Sequence, residues 1–473
     1  GNQPMRLSIE TRLSVTFAAA IITLALVVPA AHAQTNCELL RCQPETGHPL
    51  GKPGTDNIEV ISHVPLPGER FSHADIDVEQ EIARPFVYIA QRFGESGFYA
   101  LSIEDPARPR ILYRWTIGNP DLHVGSGGLD PRYAKVGNRY YLVLSFQFAQ
   151  GGPDADLGAK VFDVTGLPDP STVREVADLR VPDHPGGFHN IYTYKHTDGR
   201  ALLFAATMSE DIYVYDLALV ADGNTEPVAR IPVPSPEDRR TRQWHDMYVG
   251  YHPDSDQDRF YGAGTGGYHV FDITTVEDPE LLTSVINIPG VRDGHTFTPT
   301  PDGKFALGIS EPTYQHAPIR AFDLRPGVED GQRAITGSGI GAWMAKVDGA
   351  THNHEIRWPY AFISGQDDGL QIVNIMDPTD PYTQAYYITR EGPMLYGPET
   401  PYATRGFQYG GVWGVDIRNA DGLIVVSDST SGFWAFRMEG FYGWNGNAWN
   451  MPNISSAQDW DNGPVVQASR LPY

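Results

Sequence analysis

Seven copies of one short motif recur along the 473-residue chain, and this repetition limits the possible fold more than any other feature. Each copy is an apolar strand that ends in an aromatic-Asp-aliphatic triplet or a related one, such as KVFDV, HVFDI and RAFDL. The copies follow one another at an average interval of about 56 residues, which is typical of a series of similar structural units. The central residues of the triplets are Ser102, Asp163, Asp216, Asp272, Asp323, Asn374 and Arg437.

Every copy contains four short apolar or alternating stretches, best seen between His73 and Ile117 as HADIDVE, PFVYIAQ, GFYALSI and ILYRWTI. Gly, Pro and Asp turns separate these stretches, a pattern that predicts four antiparallel strands, labelled A to D. An Asp-Pro turn often follows strand C, as in EDPARP and MDPTDP. Seven four-stranded antiparallel units predict an all-β, seven-bladed β-propeller.

The two ends of the repeat region indicate how the ring closes. The first segment resembles a D strand without its own A, B and C strands, whereas the last repeat has no clear D strand. We therefore expect residues 58–66 to supply strand D of the seventh blade, so that the sheet edge is paired. The propeller is predicted to span residues 58–438, followed by a C-terminal tail at 439–473.

The N-terminal residues have the pattern of an export signal. Residues 5–14 carry Arg6 and Arg12, residues 15–28 are apolar, and an Ala-His-Ala sequence precedes Gln34. The apolar stretch is shorter than the roughly 20 residues that span a bilayer, so cleavage is favoured over anchoring. We predict a signal peptide at 1–33, which includes an N-terminal remnant before Met5, a periplasmic or secreted bacterial protein, and no integral membrane segment in the mature chain.

Charge and cysteine content restrict the partners and the chemistry further. The chain has 58 acidic and 35 basic residues, a net charge of −23 that disfavours binding to nucleic acid or to an anionic membrane. Its only cysteines, Cys37 and Cys42, lie in the predicted N-terminal segment at 34–57. In an oxidising compartment a local disulfide is expected between them, with a metal-binding pair as the alternative.

Histidines recur at one place in the repeat, the predicted start of strand A. Val415 takes this place in the seventh repeat. In a propeller, strand A lines the central channel, so these imidazoles are expected near one channel mouth beside the B-to-C turns. The six histidines are His73, His123, His189, His245, His295 and His354. The predicted B-to-C turns carry Gln91, Arg92, Glu95, Gln147, Glu210, Glu311, Gln366, Asp367 and Asp428.

Imidazoles supported by carboxylates are typical of a transition-metal site. We favour His189, His245, His295 and His354 as ligands, because they belong to consecutive repeats; His73, His123 and His352 rank second. Copper or iron is favoured, and zinc or manganese is compatible with the same ligands. Glu210, Glu311 and Asp367 are the expected supporting carboxylates. The opposing interpretation is that each histidine only holds its own blade, as in WD-repeat propellers.

A long segment before the seventh repeat, residues 390–414, stands out among the D-to-A connections. Loops of this length without regular structure are usually functional or disordered, and the aromatic content disfavours disorder. We interpret the segment as a lid or pocket wall over the histidine-bearing mouth, with a packing flap against a partner subunit as the alternative. Its candidate residues are Tyr396, Tyr402, Arg405, Phe407 and Trp413.

The repeat motif, especially GLQIVNIMDPTDP, resembles that of the LVIVD-repeat proteins, which are bacterial β-propellers that are often exported. In layout and histidine placement the chain is also similar to carotenoid cleavage oxygenases and to methanethiol oxidases of the selenium-binding type. These resemblances imply a metal-dependent oxidoreductase that acts on a small organic substrate. They do not assign catalytic residues, because propellers host many chemistries.

Two other functions are compatible with the sequence. The first is a non-catalytic periplasmic or cell-surface scaffold that binds a protein or a glycan. The second is a polysaccharide lyase that uses His245, Tyr396 and Arg405. We expect the channel mouth to distinguish them, since imidazole nitrogens that converge favour an enzyme and nitrogens bonded to the backbone favour a scaffold.

Overall fold

The computed structural model describes residues 53–68, 72–93, 95–123, 125–148, 152–207, 209–234, 243–310, 318–345, 351–366, 368–389, 410–449, 451 and 459–469. Within these ranges the strands form seven sheets, each with at least four strands. In every blade, four strands form an antiparallel meander that starts with the innermost strand. In the seventh blade, the outermost strand comes from the N-terminal side of the repeats. The predicted seven-bladed β-propeller is therefore confirmed.

The first three blades follow directly from the predicted repeat. Each contains four consecutive strands, ordered from the channel outwards. Their strands are β2 (His73–Val78), β3 (Phe86–Gln91), β4 (Gly97–Ser102) and β5 (Arg110–Thr116); β6 (Gly125–Val136), β7 (Arg139–Phe148), β8 (Leu157–Asp163) and β9 (Arg174–Arg180); and β10 (Phe188–Lys195), β11 (Ala201–Thr207), β12 (Asp211–Asp216) and β13 (Ala229–Pro232).

The next three blades have the same order, with one addition. A short strand, β21 (Ala334–Thr336), pairs in parallel with the outer strand of blade four and makes that sheet five-stranded. The other strands are β14 (Trp244–His252), β15 (Gln257–Gly264), β16 (Gly267–Asp272) and β17 (Glu280–Ile286); β18 (Thr296–Pro299), β19 (Phe305–Ile309), β20 (Ile319–Asp323) and β22 (Gly341–Trp343); and β23 (His354–Arg357), β24 (Tyr360–Ser364), β25 (Leu370–Asn374) and β26 (Tyr382–Tyr387).

The seventh blade joins the two ends of the ring. It consists of β27 (Val412–Arg418), β28 (Leu423–Asp428) and β29 (Gly432–Met438), with β1 (Ile58–Val64) as its outer strand. Strand β1 runs antiparallel to β29, with Ile58 opposite Met438 and Val64 opposite Phe433. The predicted closure of the last blade by an N-terminal strand is confirmed, and it pairs an edge that would otherwise be open.

Within the described residues, helices are short and lie between strands or after the last blade. Helix α1 (Leu217–Ala221) is capped by Asp216, whose side chain accepts a hydrogen bond from the Ala218 amide. The others are α2 (Arg325–Val328), α3 (Gly463–Ser469) and 3-10 turns at Pro120–Leu122, Pro170–Thr172 and Gly446–Trp449. Across the described ranges, no helix has both the length and the apolar character needed to cross a membrane.

The innermost strands contact one another in a closed cycle, in the order β2, β6, β10, β14, β18, β23, β27 and back to β2. Between blades, large aromatic side chains fill the core. For example, Phe98 of blade one meets Phe162 of blade two edge-on, with ring centroids 5.0 Å apart. Offset and edge-on contacts of this kind add to the hydrophobic stabilisation of burial. The blades therefore hold seven strands around one axis.

A register shift recurs where the inner strands begin. It lies between His73 and Ile76 in β2, between Phe188 and Ile191 in β10, between Trp244 and Asp246 in β14 and between Val412 and Gly414 in β27. Such bulges interrupt the strict alternation of side chains and re-aim the residues beside them. Consecutive residues at the top of an inner strand can therefore both contact the adjoining blade.

Candidate functional site

Four histidine rings form a row at the channel mouth, one from each of four consecutive blades. The ring centroids of His189 and His245 are 4.3 Å apart, those of His245 and His295 are 4.1 Å apart, and those of His295 and His352 are 4.7 Å apart. We call these four residues the histidine arc. His295 and His352 are buried, whereas His189 and His245 keep some contact with solvent.

Trp413 and Arg92 continue the arc towards the first blade. The Trp413 ring lies 4.5 Å from that of His352, and the Arg92 guanidinium lies 4.3 Å from the centre of the Trp413 ring. Arg92 also reaches Ser126 of the second blade, with Nη2 3.5 Å from Oγ. A cation over an indole face is favourable, more so when it is desolvated. The described mouth therefore combines imidazoles, an indole and one permanent positive charge.

Three arc histidines direct Nδ1 to an oxygen atom. Nδ1 of His189 lies 3.2 Å from Gln147 Oε1, and Nδ1 of His352 lies 2.9 Å from the Trp413 carbonyl oxygen. Both oxygens can only accept, so Nδ1 is the donor in each pair. Nδ1 of His295 lies 2.8 Å from the hydroxyl of the next residue, Thr296.

The Thr296 hydroxyl in turn lies 2.9 Å from Asp246 Oδ2 and donates to it. Its only proton is then used, and His295 Nδ1 must donate to Thr296. In a neutral imidazole, a protonated Nδ1 leaves Nε2 with a free lone pair. The lone pairs of His189, His295 and His352 are therefore on Nε2, the nitrogen farther from the backbone.

Burial keeps His245, His295 and His352 uncharged. Burial, together with the nearby His352, lowers the pKa of His245 to about 3. Burial likewise lowers the pKa of His352 to about 3, with contributions from His189 and Arg92, although the Trp413 carbonyl acts in the opposite direction. The pKa of His295 is well below its ordinary value because of burial and of the surrounding imidazoles. Neutral imidazoles are the form that binds metals.

The second layer of the channel lies directly below the arc and is made of polar side chains. Asn353 Nδ2 donates to Asp75 Oδ2 at 2.8 Å, and Thr296 Oγ1 lies 3.3 Å from Asn353 Oδ1. Together with the hydrogen bond from Thr296 to Asp246, these contacts connect four blades. The seventh blade contributes Gly414 here, because a Cβ at this position would collide with Asp75 Oδ1.

The arc contains three of the four favoured histidines, and the fourth differs from the prediction. His352, ranked second, occupies the arc, and His354 lies two residues further along the strand, opposite Ile363. The two histidines of THNHE are two residues apart and so point to the same side of an extended strand. Only the position where the strand starts decides which of them reaches the arc. In the seventh blade the corresponding aromatic is Trp413, and Val415, predicted there, belongs to the apolar core.

The two remaining second-rank histidines lie away from the arc. His73 is buried near Tyr99, at a centroid distance of 6.0 Å, one position earlier in its strand than the arc residues in theirs. His123 follows a 3-10 turn, and its Nε2 lies 2.6 Å from Asp154 Oδ2. The Gly-rich sequence after His123 starts β6 further along the chain, which displaces this histidine from the channel.

The expected supporting groups have a mixed outcome. Of the predicted B-to-C turn residues, Gln147 contacts His189 of the arc and Arg92 contacts Trp413 beside it, whereas Glu210 is exposed at the end of its blade. Several predicted residues lie outside the described residues, and so does most of the segment 390–414. They are Glu311, Asp367, Tyr396, Tyr402, Arg405, Phe407, Cys37 and Cys42.

Two further features bear on metal binding. Nε2 of His189 and Nε2 of His245 are 3.0 Å apart. Within the described ranges, however, no group of three or more His, Cys, Asp and Glu side chains is already arranged to hold a metal ion. The sequence analysis missed the polar layer formed by Asp75, Thr296 and Asn353. Each of them directly follows the arc position of its blade, but in the first blade that position is Ala74, so the predicted histidines do not mark the layer at a constant offset.

Comparisons with known proteins support the architecture. No family model and no curated protein sequence matches this chain. Among solved structures, 1133 chains are similar, so the fold is common and does not by itself indicate a function. One is the WD40 β-propeller domain of Doa1, with a TM-score of 0.50, 11% sequence identity, and coverage of 82% of this chain and 99% of that domain. At this identity the likeness concerns the fold alone.

Proposed function

We propose that the histidine arc binds a transition-metal ion and that the protein is an exported metal-dependent oxidoreductase acting on a small organic substrate. The observation that carries the proposal is the orientation of the imidazoles. Nδ1 of His189, His295 and His352 is held by oxygen acceptors, which places the lone pair of each neutral ring on Nε2. Metal-binding histidines usually have their second nitrogen held in this way.

The chemistry of the donor set fits such an ion. Two ligands bonded to one metal at about 2.0–2.1 Å and at right angles are about 3 Å apart, and the Nε2 atoms of His189 and His245 are separated by 3.0 Å. His295 and His352 stand next in the row and are the remaining candidate ligands. Imidazole suits copper, iron and zinc, and copper or iron is favoured for oxidation; manganese is a weaker match.

The protein residues around the arc have distinct roles in this proposal. Gln147, Thr296 and the Trp413 carbonyl orient the imidazoles of His189, His295 and His352. Burial keeps His245, His295 and His352 neutral. The indole of Trp413 and the guanidinium of Arg92 border the open side of the arc, where an organic substrate would lie. When bound, the metal ion would supply the redox chemistry or the activation of oxygen.

Elemental analysis tests the proposal. Full-length protein matured in a periplasm is expected to carry about one transition-metal ion per chain. The variants His245→Ala and His295→Ala should both lose it while keeping the circular dichroism of the wild type. His63→Ala is the matched control, because His63 is stacked on Trp434 at the outer strand of the seventh blade. A small fraction of one ion per wild-type chain would overturn the proposal.

A non-catalytic scaffold is the second candidate. It is favoured by the bond from His352 to a backbone carbonyl and by the direct contact between His189 and His245, which tie neighbouring blades together. In this case the histidine variants lose stability without any change in metal content. The protein would then use the propeller face to bind a protein or a glycan.

A further inference from the structure

A small cavity lies on the propeller axis, one layer below the histidine arc. It leaves about 20 Å³ for water-sized molecules, which is room for one or two of them. The lining is mostly polar and includes Asp75, Asp246, Glu355, Arg132 and Asn353. Side chains from several blades converge here because the inner strands surround the axis.

Negative charge exceeds positive charge around this cavity. Three carboxyl groups, Asp75, Asp246 and Glu355, line it together with a single guanidinium, that of Arg132. The neighbouring channel residues add Asp77, Asp130 and Asp416 against Arg357. Arg132 Nε is 3.1 Å from Asp130, and Arg357 Nη1 is 3.0 Å from Glu355, so both cations already have partners. Buried carboxylates that outnumber the nearby guanidinium groups need further positive charge or protons to balance their negative charge.

A second, independent feature points to a ligand in the cavity. The Tyr192 hydroxyl has no hydrogen-bond partner among the described residues, although Tyr192 is only 4% exposed and lines the cavity. The buried His354 ring, also in the lining, approaches the Leu307 backbone, but neither of its nitrogens makes a well-formed hydrogen bond within the described part of the chain. A buried polar group without a partner is destabilising, so such groups usually face water or an ion.

We propose that this cavity binds a hard divalent cation, of the calcium type, on the propeller axis. Asp75 and Asp246 would supply carboxylate oxygens, and Asn353, Tyr192 and enclosed water would supply neutral oxygens. Calcium takes six to eight oxygen ligands and tolerates irregular geometry and bound water. Because its donors are oxygens and not imidazoles, the site is separate from the histidine arc and does not depend on the proposed function.

Charge balance and existing contacts support this choice of ligand. Arg357 pairs with Glu355 and Arg132 with Asp130, so the lining keeps the two negative charges of ionised Asp75 and Asp246, which one divalent cation neutralises. Asp75 and Asp246 are already brought together through Asn353 and Thr296. Burial raises the pKa of Asp75 to about 6, so protons compete with the cation in mildly acidic solution.

Terbium luminescence tests the site directly. Tb³⁺ replaces Ca²⁺ at oxygen sites and emits when a nearby tyrosine is excited, and Tyr192 and Tyr248 both line the cavity. Chelator-treated full-length protein at pH 7.5 should show tyrosine-sensitised Tb³⁺ emission that Ca²⁺ competes away. Asp75→Asn and Tyr192→Phe should each weaken Tb³⁺ binding by about tenfold or more. Circular dichroism verifies that each variant is folded. If Asp75→Asn does not fold, Tyr192→Phe still tests the site, because it removes a ligand oxygen without changing the charge of the cavity.

Two controls separate this site from other metal-binding positions. The acidic turn at 253–258 is a competing Tb³⁺ site, because it lies beside Tyr251, whose hydroxyl bonds to Asp256 at 2.7 Å. If the emission comes from the axial cavity, Asp254→Asn leaves it unchanged. The double variant His189→Ala/His245→Ala should also retain it, although it lacks two arc histidines. The proposal is overturned if Asp254→Asn alone abolishes emission. It is equally overturned if stripped protein gives neither emission nor a Ca²⁺-dependent rise in Tm, in which case protons alone compensate the carboxylates.

Discussion

Nε2 of His189 and Nε2 of His245 lie 3.0 Å apart, although the two residues belong to different blades. The Gln147 amide oxygen holds the proton of His189 on Nδ1, so a lone pair of His189 faces His245. A proton on Nε2 of His245 fits this gap as a hydrogen bond between the two rings. In the proposed metal site, an ion would take the place of that proton.

Removing the acceptor that orients His189 should weaken metal binding without removing a ligand. We expect Gln147→Leu to lower the affinity for Cu²⁺ or Zn²⁺ by about 10- to 100-fold, as is usual for residues that orient metal-binding histidines. Isothermal titration of chelator-treated protein measures the effect. Gln384→Leu, on an outer strand, is the control. An unchanged affinity in Gln147→Leu would show that the Gln147 contact does not orient a ligand.

The buried His269 should make stability depend on pH. Burial lowers its pKa to about 4, so between pH 6.5 and 4 the unfolded chain binds a proton that the native protein does not. The contribution of this group to the free energy of unfolding is complete above pH 6.5 and declines as the pH falls towards 4. Between pH 7.5 and pH 4.5, the free energy of unfolding of the wild type should therefore fall by about 2–3 kcal/mol more than that of His269→Asn. Urea unfolding at both pH values measures this difference, and parallel losses in the two proteins would contradict it.

The contributions of the buried residues Arg132 and Asp130 to the free energy of unfolding should depend strongly on each other. Arg132→Met leaves Asp130 and its neighbouring carboxylates without their guanidinium, and we expect a loss of about 3–5 kcal/mol in the free energy of unfolding. Adding Asp130→Asn should restore a substantial part of that loss. Urea unfolding of both single variants and the double variant gives the interaction energy. Additive losses would mean that the pair is not coupled.

Strand β1 should be necessary for closing the ring. A chain that starts at Pro65 lacks the partner of β29, and we expect it to aggregate or to unfold at a clearly lower Tm than a chain that starts at Pro53. Thermal unfolding followed by circular dichroism, together with gel filtration, compares the two. Equal Tm values and equal monomer fractions would show that the seventh blade is stable with three strands.

The predicted export signal gives a simple expectation. Expressed in a bacterium from Met5, the protein should be recovered from the periplasm with Gln34 as its N-terminal residue. N-terminal sequencing or intact mass measurement identifies the first residue. Recovery in the cytoplasm with residues 5–33 retained would contradict the prediction.

The architecture was predictable because every repeat carries the same pattern of strands and turns. Strands A to D recur with turn residues between them, and the incomplete first and last repeats indicate that β1 completes the seventh blade. Such local patterns, repeated seven times, leave few alternatives. The order of the blades around the axis then follows from chain order alone.

The candidate site was predictable only to the level of individual blades. His189, His245 and His295 follow the repeat register, but the choice between His352 and His354 depends on where a strand starts and on the bulge beside it. His73 is displaced by one position for a similar reason. Bulges have weak sequence signals, and a shift of one residue re-aims a side chain. The contact of Arg92 with Trp413 crosses from the first blade to the seventh, and no local pattern encodes it.

The pairing of β1 with β29 also has a consequence for how the molecule comes into being. Strand β1 is among the first parts of the ring to be synthesised, and its partner is among the last. A growing chain can build six blades in turn, but its earliest strand has to wait until the final repeat arrives. A truncated translation product is therefore left with an unpaired strand at each end, and only a full-length chain completes the circle.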